Sequence, residues 1–157
     1  MIIVSSCLLG YESRYDGGSN SNPLLMKYLS RGKFIPVCPE QLGGLSTPRC
    51  PAEIINGCGG EVLVGKAKVQ GKHGDDFTKG FVCGARQVLD LANKHSVKAA
   101  ILKERSPSCG ANYIYDGSFS RTIKSGKGIT AALLSDNNIV VYSEEEITDE
   151  VLLGLLE

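Results

Sequence analysis

The sequence has no excess of charge of either sign: 17 Lys and Arg balance 17 Asp and Glu, for a formal net charge of +0. Binding to a nucleic-acid polymer or an anionic membrane needs a surplus of cations to displace counterions, so both partners are disfavoured. Long apolar runs are missing as well. No stretch approaches the ~20 residues of a membrane span, and Met1-Ile2-Ile3-Val4 is too short for a secretory core and has no basic segment before it, which points to a cytoplasmic protein. There is no C-x2-C pair of the zinc-ribbon or ferredoxin kind, and Gly126-Lys127-Gly128 lacks the spacing of a phosphate loop and reads as a turn. Histidine occurs only at His73 and His95, in a loop and near a helix end, so acid–base work falls to carboxylates and hydroxyls.

What is present is a chain of 157 residues with 42% hydrophobic content, read as one domain over 1–157 with a sizeable core. Six cysteines, at 7, 38, 50, 58, 83 and 109, are too dispersed for a disulfide miniprotein, and in a reducing compartment they are free thiols or metal ligands.

Short apolar runs at 2–4, 34–37, 97–102 and 139–142 read as strands. Between them, Asn22-Pro23 opens a short helix to about 31, and an apolar stripe through Phe77, Phe81, Ala85, Val88, Leu89 and Ala92 predicts a long helix from about 76 to 94. Glu144-Glu145-Glu146 is expected to open a final helix ending near Leu156. Residues 39–51 are expected to be a shaped loop, 61–70 a hairpin or edge segment leaving the Gly57-Cys58-Gly59-Gly60 turn, and 130–134 a helical turn.

Strand–helix alternation implies an α/β fold, a three-layer Rossmann-like domain with a mainly parallel sheet. Ligands of such sheets bind beyond the carboxyl ends of the strands, and Cys7, Cys38 and Cys109 each fall just past a strand. Three thiolates without a fourth suggest a metal centre with one open position, and softness alone leaves zinc and an iron–sulfur cluster both open. Cys58 is expected to be a turn residue and Cys83 a core-facing or half-buried thiol. Glu40, two residues past Cys38, is the first candidate for proton transfer; the bland alternatives are capping of backbone amides or pairing with Arg14 or Arg49. Ser106 and Ser108, beside Cys109, are candidates to hold the exocyclic group of a substrate or a water, or simply to bond their own backbone. Arg14 and Asp16 offer a donor and an acceptor for an amide-like ring edge, or a structural ion pair.

Three blocks in order carry a family resemblance. They are Ser6-Cys7-Leu8-Leu9-Gly10 with Arg14-Tyr15-Asp16-Gly17; Pro36-Val37-Cys38-Pro39-Glu40 with Gly44-Leu45 and Thr47-Pro48-Arg49; and Leu102-Lys103 with Ser106-Pro107-Ser108-Cys109-Gly110 and Tyr115-Asp116-Gly117. Over essentially its whole length the chain resembles the 2-thiouracil desulfidase family. The resemblance implies a Rossmann-like domain holding a [4Fe-4S] cluster through three cysteines, here Cys7, Cys38 and Cys109. The fourth iron would take sulfur from a thiolated nucleobase or nucleoside and release it as sulfide. Cys50 departs from the family's Pro-Arg-Pro-Pro-Ala-Glu run and could serve as an occasional fourth ligand. The expected reaction is Lewis-acid activation of the thione, with water guided by Glu40 onto the ring carbon and no nicotinamide or flavin. A zinc-holding interaction module and a cluster-based sulfur donor are the competing readings.

Overall fold

The computed structural model describes all 157 residues. In chain order its elements are β1 (Ile2–Ser5), α1 (Pro23–Lys27), β2 (Phe34–Val37), α2 (Pro39–Leu42), β3 (Ala52–Ile55), α3 (Gly59–Leu63) and β4 (Lys68–Gly71). There follow α4 (Thr78–Lys94), β5 (Ala99–Leu102), β6 (Tyr113–Tyr115), β7 (Ile123–Ser125), α5 (Ile129–Asp136), β8 (Val140–Ser143) and α6 (Asp149–Leu156), with 3-10 turns at Ser6–Leu9 and Leu29–Arg31.

The centre is a parallel four-stranded sheet in the order β2-β1-β5-β8. Its strands are short and apolar on both faces, as they must be when helices cover both sides. Alternation along β1 sends Ile2 and Val4 into a core with Leu25, Tyr28, Leu152 and Leu156, on the side of α1 and α6. Ile3 enters a second core with Val88, Ala92, Ala131 and Leu134, on the side of α4 and α5. The chain leaves β1 toward β2 on one side and later fills β5 and β8 on the other, so the sheet reverses direction of growth between β1 and β5. That point is where ligands of doubly wound sheets bind.

Two antiparallel hairpins, β3–β4 and β6–β7, extend this frame and share a third core of Ile54, Val69, Ile114, Phe81, Val62 and Ile129. The α/β fold and parallel sheet are those the sequence implies. Several element assignments are corrected. The segment after β2 forms the one-turn helix α2 before its loop. Residues 59–63 are helical, and β4 pairs back onto β3 rather than running from the glycine turn. The short α1 gives way to a 3-10 turn rather than reaching residue 31 as one helix. The last helix starts only after Thr148, whose hydroxyl accepts from Val151 N at 3.2 Å. Glu144, Glu145 and Glu146 instead bind Lys103, Arg105 and Ser143 N. No helix is long and apolar enough to cross a membrane.

α2 sits on α4 with backbone against backbone. A methyl group at Gly84 would run into the Pro39 carbonyl, and one at Gly43 into that of Gly80. This close approach seats the turn that carries Cys38 and Glu40.

Candidate metal centre

The carboxyl edge of the central sheet opens into a cavity of about 770 Å³. Cys7 enters it from the 3-10 turn after β1, Cys38 from the N-cap of α2 directly after β2, and Cys109 from the loop after β5. The structure therefore brings together the three cysteines that the strand ends suggested. They are close enough to feel one another's charge: Cys7 and Cys38 both disfavour ionisation of Cys109. Burial is the main cause of their perturbation. It pushes the Cys7 thiol up to about 11 and the Cys109 thiol up to about 12, and it raises Cys38 as well. A hydrogen bond from Asn20 opposes the rise at Cys7, one from Ser5 opposes it at Cys109, and at Cys38 the backbone N–H of Gln41 and then the charge of Arg49 oppose it.

Such a donor set fits a cationic, thiophilic group, because only nearby positive charge makes three buried thiolates affordable. No group of three or more His, Cys, Asp or Glu side chains is set to share a single metal ion. The other cysteines stand apart. Cys50 does not line the cavity; its Sγ lies 3.5 Å from Pro51 O and packs near Gly71. Cys58 is the N-cap of α3 rather than a hairpin turn, and Cys83 is exposed rather than core-facing.

Glu40 lies at the same edge and is held at both oxygens. Oε1 accepts from Arg49 Nε at 3.0 Å, and Oε2 accepts from Ser108 Oγ at 3.0 Å. The pairing with Arg49 that the sequence left as an alternative is present, and it orients the carboxylate at the cavity wall. Arg49 is the hub that sequence reasoning undervalued. Its side chain is 7% exposed, and Nη2 reaches Ser13 O at 2.8 Å and Cys38 Sγ at 3.7 Å. The available signal was its place nine residues after Glu40 in the same block.

Ser106 lines the cavity, whereas Ser108 is fully buried behind it. Ser106 Oγ accepts from Cys109 N at 3.0 Å and Ser108 N at 3.2 Å, so part of its role is to shape the Cys109 loop. Arg14 reaches the cavity; Asp16 does not, and is instead its ion-pair partner at 3.2 Å and the acceptor for Gly18 N. The ion-pair alternative is thus present, and of the two residues only Arg14 lines the cavity.

A family model described as 2-thiouracil desulfurase matches residues 2–146. The uncharacterized protein YbbK of Bacillus subtilis (strain 168) is 47% identical over 149 residues, covering 95% of this chain and 99% of that one. The solved structure of the [4Fe-4S]-dependent thiouracil desulfidase TudS superposes with a TM-score of 0.86 at 41% identity, covering 98% of this chain and 96% of that one.

Proposed function

The chain belongs to the 2-thiouracil desulfurase family, and from that premise we propose how its own residues perform the chemistry. The protein is a [4Fe-4S]-dependent desulfidase that hydrolyses the C–S bond of a thiolated nucleobase such as 2-thiouracil to uracil and sulfide. The observation that supports the assignment of its site is the meeting of Cys7, Cys38, Cys109 and Glu40 in one cavity, from three separate strand ends.

Cys7, Cys38 and Cys109 would hold the cluster, leaving no cysteine in the cavity for a fourth bond. When bound, the cluster supplies a Lewis-acidic iron for the thione sulfur. Glu40, fixed by Arg49 and Ser108, holds a water at its carboxylate and takes its proton as oxygen adds to the ring carbon. Ser106 keeps the Cys109 loop in place and offers its hydroxyl to the exocyclic group or the water. Arg14 donates to a ring carbonyl. The net change replaces C=S and water by C=O and hydrogen sulfide, so electrons balance without a redox partner. The substrate is a small base or nucleoside, for which the cavity has room.

Anaerobic reconstitution followed by iron and acid-labile sulfide analysis, then incubation with 2-thiouracil, tests the reading. About four irons per chain and equimolar uracil and sulfide are expected. Absence of iron after reconstitution would remove it. Stoichiometric zinc would favour the interaction module, and incorporation of added sulfide into a nucleobase would favour the sulfur donor.

A further inference from the structure

The cavity has two kinds of wall. The 3-10 turn after β1, the helix α2 and the loop after β5 bring the cysteines and Glu40, while the hairpins bring Ala52, Glu53, Lys72, Tyr115, Phe119 and Arg121. On the hairpin side one buried carboxylate stands out. Glu53, on β3, is only 8% exposed, and its Oε1 accepts two backbone donors from the tip of the other hairpin, Gly117 N at 2.9 Å and Phe119 N at 3.2 Å. Gly117, at φ 92°, is pressed so close to β3 that a Cβ there would lie 2.7 Å from Ile54 O.

The tip is held in a conformation its sequence does not favour. Phe119 and Arg121 occupy left-handed backbone, at φ 55° and 60°, which bulky residues rarely adopt. A free surface turn would relax with Gly or Asn at those positions. Such strain persists where surrounding contacts impose it, and it clusters at ligand clamps. Here the contacts are Glu53 from below and, along the tip, Asp116 accepting from Ser118 N at 2.9 Å.

We propose that Glu53 is a positioning residue: its carboxylate clamps the β6–β7 tip onto β3 so that Phe119 offers its ring as the stacking face for the planar heterocycle in the cavity. This rests on the desulfidase reading for the identity of the heterocycle, but the clamp stands on the hydrogen bonds alone. Stacking on an aromatic ring is sequence-tolerant and strong enough to matter for affinity. The Glu53 carboxylate touches the backbone of the tip rather than the reacting atoms, so its loss is expected in binding and not in turnover.

The test compares the reconstituted parent with Glu53→Ala, Glu53→Gln, Phe119→Ala and the Glu53→Ala/Phe119→Ala double variant. Four quantities are read: iron per chain, KM and kcat for 2-thiouracil, and hydrogen exchange at the Gly117 and Phe119 amides. Glu53→Ala should keep its iron, speed exchange at those two amides without affecting β1 or β5, and raise KM about tenfold with kcat nearly unchanged. Glu53→Gln keeps an Oε1 acceptor and should restore both exchange and KM. Phe119→Ala should raise KM by the same factor, and the double variant should be no worse than either single one. Unchanged exchange and KM in Glu53→Ala, multiplicative effects in the double variant, or loss of iron would each overturn the proposal. If Glu53→Ala does not fold, Phe119→Ala decides, because that half-buried tip residue lies outside the cores and an unchanged KM refutes the stacking role. A parent that binds iron but releases no sulfide would overturn the desulfidase reading and the stacking role with it, while the exchange measurement still decides the clamp.

Discussion

The two walls of the cavity differ in how their charges are spent. At the sheet edge the charged groups are paired or hydrogen-bonded: Glu40 with Arg49, Arg14 with Asp16 at 3.2 Å, Lys103 with Glu144 at 2.8 Å, Arg105 with Glu145, and Glu104 with the backbone of Asn112 and Tyr113. On the hairpin side Lys72 and Arg121 are exposed and form no ion pair, and the backbone around Phe119 is strained. The first wall is preorganised for chemistry on rigid elements, and the second is left open to what enters. Breaking the edge should therefore abolish loading or turnover, whereas altering the hairpins should change binding.

The largest effect is expected at the ligands. Cys7→Ser, Cys38→Ser and Cys109→Ser should each abolish stable cluster loading, read as iron and acid-labile sulfide per chain. Cys50→Ser, Cys58→Ser and Cys83→Ser should load normally, since these thiols lie outside the cavity. Cys58→Ser even supplies a better N-cap for α3. Loss of iron in any of that second group would show the trio to be wrongly chosen.

Next in size is Glu40→Gln, which keeps the shape and removes the charge. We expect kcat for 2-thiouracil to fall by roughly 10²–10⁴-fold with the cluster absorbance intact. Full sulfide release from the variant would reassign the proton transfer to Ser106 or bulk water. Loss of the cluster would instead make Glu40 a support for Cys38.

That contrast also explains what could be read from the sequence. The edge was legible because each strand is a contiguous apolar run and each ligand follows its strand within a few residues, apart from Cys109, seven residues past Leu102. The hairpins were not. Ala52–Ile55 and Tyr113–Tyr115 are not contiguous apolar runs and give little alternation to count, and the clamp joins Glu53 to Gly117 and Phe119 across 64 and 66 positions. Local signals were also overruled by tertiary partners. Three consecutive acids normally announce a helix start, but Glu144 is occupied by Lys103 and Glu104 N, so the Thr148 cap sets the boundary.

A pair of glycine substitutions sharpens the same comparison in stability. Gly84→Ala forces a methyl into the Pro39 carbonyl under α2, and Gly117→Ala forces one into left-handed backbone against Ile54 O. Each should cost about 1–3 kcal/mol in denaturant unfolding. Only Gly84→Ala should also lower iron loading, because α2 presents Cys38. Equal loading losses would mean that the two walls are mechanically one.

The smallest effect is expected at Glu104, the buried acid where the edge meets the base of the β6–β7 hairpin. Its Oε1 accepts from Asn112 N and Tyr113 N, both at 2.9 Å, and Oε2 from Asn112 Nδ2 at 3.2 Å. Burial alone would raise its pKa, but the backbone donors of Asn112 and Tyr113 outweigh it, with help from Ser143 and the Asn112 side chain, and the carboxyl ionises below its ordinary value of 4.5. A lowered acid stabilises the fold above the unfolded value and loses that contribution as pH falls through the folded one. Glu104→Gln keeps an acceptor for both amides and gives up the charge, so it should cost about 1 kcal/mol at pH 7. The difference from the parent should shrink as pH drops below 4.5. Urea unfolding of both chains after removal of iron keeps the acid lability of the centre out of the measurement. A gap that stays constant into the acid range would show that neutral hydrogen bonds, not the carboxylate charge, tie this hairpin to the edge.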